Sequence, residues 1–129
     1  MIHFVLCGHG TYGSSLKESL SMLVGEVEGV SVIDFTREMG SSELTEQIKL
    51  KLDELGDTPT LFITDLFGGA PFKTCSIESL NYENKIVLAG TNLTGLLEIY
   101  FQRQEDLENL AQKAVDASKE SIAYFPKSE

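Results

Sequence analysis

The stretch Phe4-Val5-Leu6-Cys7-Gly8-His9-Gly10-Thr11-Tyr12-Gly13-Ser14-Ser15 decides how the chain is read. An apolar run ends abruptly in small residues, and a single histidine stands between two glycines. Beyond it, Leu16, Leu20, Leu23 and Val24 recur at helical spacing. A buried strand therefore turns tightly into a helix, with His9 at the corner. Glycine permits positive φ there and lets the backbone approach a ligand closely. The free N–H groups of the new helix are expected to form an anion site beside the imidazole. A nucleophilic nitrogen next to an anion site points to phosphate chemistry.

The surrounding composition bounds the possibilities. At 129 residues the chain suffices for one domain, 1–129, around a single core. Hydrophobic residues at 42% and charged residues at 23% match ordinary globular proteins, so no disordered or fibrous class is needed. No apolar run is long enough to span a bilayer, and no basic n-region precedes an apolar stretch and cleavage site. The expectation is a cytoplasmic protein without membrane insertion. Cys7 and Cys75 make neither a disulfide framework nor a metal cluster, and both are read as reduced core residues. Neither a metal nor a cofactor is expected. A net charge of -10, from 20 acidic and 10 basic residues, argues against nucleic acid and anionic membranes as partners. It suits a partner with a positive contact face, and it also serves solubility alone.

Along the chain, strands alternate with helices. The first strand covers about Ile2 to Cys7, with His3 a surface residue at its start. The helix after His9 runs to about Val24 and stops at Gly25. Val30 to Phe35 is a second strand, rich in β-branched residues. Ser41 or Ser42 caps a helix that carries Leu44, Ile48, Leu52 and Leu55 on one stripe and ends at Gly56. Thr60 to Thr64 is the third strand and leads into Asp65-Leu66-Phe67-Gly68-Gly69-Ala70-Pro71. Pro71 suits the first turn of a helix reaching about Leu80. Lys85 to Ala89 is the fourth strand, Leu96, Leu97 and Phe101 mark the next helix, and a last helix begins near Glu105. Ile122 to Phe125 reads as a short terminal strand.

Near-continuous apolar strands between helices indicate an α/β fold: a doubly wound, mainly parallel open sheet with helices on both faces. Sites in such sheets lie at the carboxyl ends of strands where the winding reverses. His9, Asp65 and Asn92 each follow a strand and share that rim. If the first and third strands are neighbours, His9 and Asp65 meet at the switch point. A carboxylate on one imidazole nitrogen fixes the tautomer and frees the other nitrogen to attack phosphorus. Amides after His9 and after Gly68-Gly69 would hold the phosphoryl oxygens. Asp65 as a turn residue, and His9 as a satisfied loop histidine, are the structural alternatives.

Three other phosphate chemistries overlap this corner and fail on a cation. Gly8 to Ser15 has the glycine spacing of a nucleotide P-loop, but Ser14 stands where its lysine must be. A cysteine phosphatase built on Cys7 would need a loop arginine, and Gly8 replaces the arginine of histidine phosphatases. Lacking any nearby arginine or lysine, the corner is read as a receiver of phosphoryl groups and a poor hydrolase. A non-catalytic regulatory or binding module on the same fold is the remaining alternative.

The chain resembles the IIA domain of the mannose-type phosphotransferase sugar-uptake system. The likeness is carried by His9-Gly10-Thr11-Tyr12, Gly25, Ile33-Asp34-Phe35, Asp65-Leu66-Phe67-Gly68-Gly69-Ala70-Pro71-Phe72 and Gly90-Thr91-Asn92-Leu93 before Leu96-Leu97-Glu98. It covers essentially the whole chain in order. The resemblance implies a phosphocarrier in which His9 takes a phosphoryl group from HPr and passes it to a separate IIB protein. It implies that Asp65 orients the ring and that Gly10, Thr11, Gly68, Gly69 and Ala70 line the phosphate site. It also implies a homodimer with an exchanged C-terminal strand, for which Ile122 to Phe125 is the candidate. The chain departs from the family pattern at Ala70, where Ser or Thr is frequent, at Lys73, where Asn is common, and at Thr94-Gly95, where Pro-Met is frequent.

Overall fold

The computed structural model describes residues 1–127. In chain order the elements are β1 (His3–His9), α1 (Tyr12–Val24), β2 (Val30–Phe35), α2 (Ser41–Leu55), β3 (Thr60–Thr64), α3 (Ala70–Ser79), β4 (Lys85–Ala89), α4 (Leu93–Tyr100) and α5 (Leu107–Glu120). The four strands form one sheet in the order β2-β1-β3-β4, and every pairing is parallel. The chain steps from β1 to β2 on one side, then crosses to β3 and β4 on the other. The winding therefore reverses between β1 and β3, which are direct neighbours.

Alternation along the strands sorts the core into two layers. Phe4 and Leu6 of β1, with Leu61 and Ile63 of β3, pack against Leu20 of α1, Leu96 and Ile99 of α4, and Leu110 and Ala114 of α5. Val5 and Cys7 of β1, with Phe62 of β3 and Ile33 of β2, meet Leu44, Ile48 and Leu52 of α2 and Cys75 of α3. Strands buried on both faces read as unbroken apolar runs for this reason. Both cysteines are free and buried in that second layer.

Three details differ from the sequence expectation. β1 extends to His9, because Gly8 and His9 still pair with Asp34 and Phe35 of β2. The cap of α2 is Gly40, whose N–H is accepted by the Glu43 side chain at 3.4 Å, and Ser41 and Ser42 lie inside the helix. The terminal strand does not form within this chain, nor does its segment fold back on its own sheet. Residues 122–127 leave α5 without joining the sheet, and Ile122, Tyr124 and Phe125 are 77%, 71% and 95% exposed. Among the described residues, no helix is long and apolar enough to cross a membrane.

Candidate functional site

His9 ends β1 and Asp65 follows β3, so the adjacency of these strands brings the two side chains together at the carboxyl rim. Asp65 Oδ2 accepts the His9 backbone N–H at 2.8 Å and lies 3.0 Å from His9 Nδ1. Asp65 Oδ1 accepts the Leu66 N–H at 2.8 Å. A carboxylate only accepts, so Nδ1 carries the proton and Nε2 keeps a free lone pair. Burial by itself would push the Asp65 carboxyl up. The His9 backbone N–H, the imidazole and the Leu66 N–H outweigh burial and hold it below the ordinary carboxylate range. One oxygen of Asp65 thus holds both the backbone and the ring of His9, while the other serves the loop. The His9 side chain is 46% exposed and Asp65 only 20%. The ring nitrogen that remains free is the one a partner can reach.

Small residues make room for this ring. A Cβ on Gly69 would lie 3.1 Å from His9 Cε1 and 3.2 Å from Leu66 O. Gly69 thus accommodates the imidazole itself, whereas the sequence suggested room for phosphate. Gly10 adopts φ +61 and donates its N–H to Phe35 O at 2.8 Å, which fastens the loop after β1 to the end of β2. Tyr12 packs over Gly8 and donates its hydroxyl to Thr91 O at 3.1 Å, tying the start of α1 to the loop after β4. Burial and the neighbouring Asp65 charge push the Tyr12 phenol up, so it stays a neutral donor.

Two helix N-termini open on this rim. That of α1 is already served by a carboxylate: Asp34 accepts the Ser14 N–H at 3.1 Å and the Ser14 hydroxyl at 2.6 Å. The Thr11 hydroxyl oxygen accepts the Ser15 hydroxyl at 3.1 Å. Open amides occur at both starts: the Tyr12 and Gly13 N–H groups of α1 have no partner among the described residues, and α3 has no side-chain cap at Gly69. Its Ala70 and Phe72 N–H groups have no partner among the described residues, while Gly69 donates to Leu66 O and Lys73 to Gly69 O. A Cβ added at Gly69 would nearly meet His9 Cε1, so the start of α3 lies close to the imidazole. Ala70 adds no hydroxyl.

Other residues fall into place around this pair. Asn92 caps α4 through Gly95 N–H at 3.0 Å and binds Ser118 and Ser121 of the α5 end, which is a structural role. His3, at the opposite end of β1, bonds Ser31 Oγ at 2.7 Å and stands apart from the site. Leu66 and Phe67 are 59% and 81% exposed on the loop that holds Asp65, and the Phe67 ring lies 5.0 Å from that of Phe72. A shallow depression of about 340 Å³ opens at His9 and is lined by Gly10, Phe35, Thr36, Arg37 and Met39. Arg37, distant from His9 along the sequence, thus lines the same depression. A larger open groove of about 560 Å³ on α4 and α5 contains neither His9 nor Asp65. Among the described residues, no three His, Cys, Asp or Glu side chains are placed to hold a metal ion.

From the sequence, Asp34 has a place in the second strand but no role at the start of α1, and Arg37 has no place near His9. An aspartate inside a β-branched strand runs against strand preference, and that was the available signal for a cap. Arg37 gave no signal, because its place depends on the pairing of β1 with β2.

Comparison with known proteins bears on family and fold. The family model described as the fructose IIA component of the PTS system matches residues 3–118. A mannose-specific EIIAB component of the PTS system from Escherichia coli K12 is 32% identical over 124 residues, covering 94% of this chain and 38% of that protein. The chain thus spans well under half the length of that relative. A sorbose-specific EIIA component from Lacticaseibacillus casei is 35% identical over 98 residues, covering 76% of this chain and 71% of that protein. Among solved structures, a mannose/sorbose-specific IIA subunit from Enterococcus faecalis superposes with a TM-score of 0.91 at 27% identity, covering 98% of this chain and 96% of that one.

Proposed function

The chain belongs to the family of fructose-type IIA components of the phosphotransferase system, and from that premise we propose that it is a phosphocarrier with His9 as the carrier residue. The observation that carries the reading is Asp65 Oδ2 placed 3.0 Å from His9 Nδ1, which leaves Nε2 uncommitted, with the start of α3 close to the ring. The Nε2 lone pair forms a new N–P bond while the N–P bond on the donor histidine breaks. The electron pair of the broken bond stays on the donor imidazole. Asp65 steadies the positive charge that develops on the His9 ring, and the Ala70 and Phe72 amides receive the phosphoryl oxygens. The second transfer reverses these roles toward the acceptor.

The donor in this reading is HPr and the acceptor is a separate IIB protein, in the service of sugar uptake. Exposed Leu66 and Phe67 beside the site supply an apolar rim for both partners, and the net charge of -10 favours partners with positive faces. The protein works in the cytoplasm as a homodimer, with Ile122 to Phe125 added to the sheet edge of a second copy. The exposure of those apolar side chains supports that assembly. Incubation with phosphoenolpyruvate, enzyme I and HPr, followed by mapping of the phosphorylated residue, tests the carrier step. Wild type should carry acid-labile phosphate on His9, His9→Ala none, and His3→Ala the wild-type amount. Full incorporation into His9→Ala would remove His9 from the mechanism.

A further inference from the structure

We propose that Arg37 grips the phosphoryl group carried on His9, an assignment that rests on the phosphocarrier reading. The pairing of β1 with β2 sets His9 opposite Phe35, and the Gly10 N–H is held by Phe35 O at 2.8 Å. Two residues beyond Phe35 the chain turns, with the Met39 N–H donating to Thr36 O at 3.1 Å, and Arg37 lies in that turn. Arg37 and His9 consequently line the same depression of about 340 Å³.

The guanidinium is uncommitted. Arg37 is exposed and makes no hydrogen bond or ion pair among the described residues, even though Glu38 follows it directly. The neighbourhood also calls for a cation. Asp65 and Asp34 both lie at the rim, and a phosphoryl group brings a charge of about −2 to a molecule already strongly acidic. Ala70 offers no hydroxyl to share that load. Lys73 lies a turn into α3 and does not line the depression. A planar fork of N–H donors matches two phosphoryl oxygens in a way that a lysine does not. Arg37 therefore supplies within this chain the cation that its sequence neighbourhood lacks.

The test uses the full chain phosphorylated through enzyme I and HPr, comparing wild type with Arg37→Gln and Arg37→Lys. Arg37→Gln should slow phosphorylation by about tenfold at saturating HPr, and Arg37→Lys should recover part of the loss. The phosphohistidine ³¹P titration midpoint in Arg37→Gln should rise by about half a pH unit, because a cation favours the dianion. Its thermal unfolding should match wild type, since the side chain is exposed and makes no hydrogen bond or ion pair among the described residues. A wild-type rate with an unshifted midpoint overturns the assignment. So does a loss that appears only in the apparent KM for HPr with the midpoint unshifted, which would make Arg37 a partner contact. Wild type that takes no phosphate on His9 removes the premise itself, and that result is distinct from both.

Discussion

His9 has two ring nitrogens, and Asp65 commits only one of them. Asp65→Asn keeps a hydrogen-bonding group at the same place but cannot balance charge on the ring, and it also admits the other tautomer. Phosphorylation should still occur on His9 while its rate falls by about tenfold or more; a rate within about twofold of wild type would reduce Asp65 to a turn residue. The same carboxyl predicts a pH effect. Its folded pKa is depressed, so its contribution to stability is complete above the ordinary carboxylate value of about 3.9 and is lost as pH falls through the lower folded value. Urea unfolding between about pH 5 and pH 2 should therefore show a shallower decline in Asp65→Asn than in wild type. An identical slope would mean that the carboxylate is no better off folded than unfolded. His9 and Asp65 were legible in the sequence because each follows an apolar run and meets glycine-rich turns. Arg37 was not, since nothing local says that a residue after β2 faces the end of β1.

At the scale of elements, periodicity did most of the work. β2, β3 and β4 appear at the expected bounds, because each apolar, β-rich run ends sharply at turn residues. β1 runs two residues past its apolar pattern, since ladder pairing needs only backbone, which Gly8 and His9 supply. Capping was less legible, because Gly40 caps α2 with no side chain of its own. Close packing between helices cannot be read from one helix alone. Gly95 of α4 lies against α5, where an added Cβ would sit 2.9 Å from Ala114 O and collide with the Ser118 hydroxyl. Gly95→Ala should accordingly destabilise the protein by about 1–3 kcal/mol in chemical denaturation, despite its better helix propensity. A stabilised variant would show that α4 and α5 can part freely at this point.

The whole molecule follows from one reversal of winding, which set the active rim before any side chain was considered. Its terminal segment is where a single chain leaves the sequence expectation unmet. Ile122, Tyr124 and Phe125 lie exposed after α5, and β4 is an outer strand of the sheet. Removal of residues 122–129 should convert a dimer into a less stable monomer that still accepts phosphate weakly, as read by sedimentation and by labelling. Full-length protein that sediments as a monomer at micromolar concentration would refute strand exchange without touching the chemistry at His9. The double hold of Asp65 on His9, through backbone and ring together, governs traffic as well. With Nδ1 held by Asp65, both partners of the proposed carrier have the same Nε2 to use, so donor and acceptor would take turns. Transfer should obey ping-pong kinetics, with unphosphorylated acceptor competing against phosphorylated HPr, and a stable three-protein complex should not form.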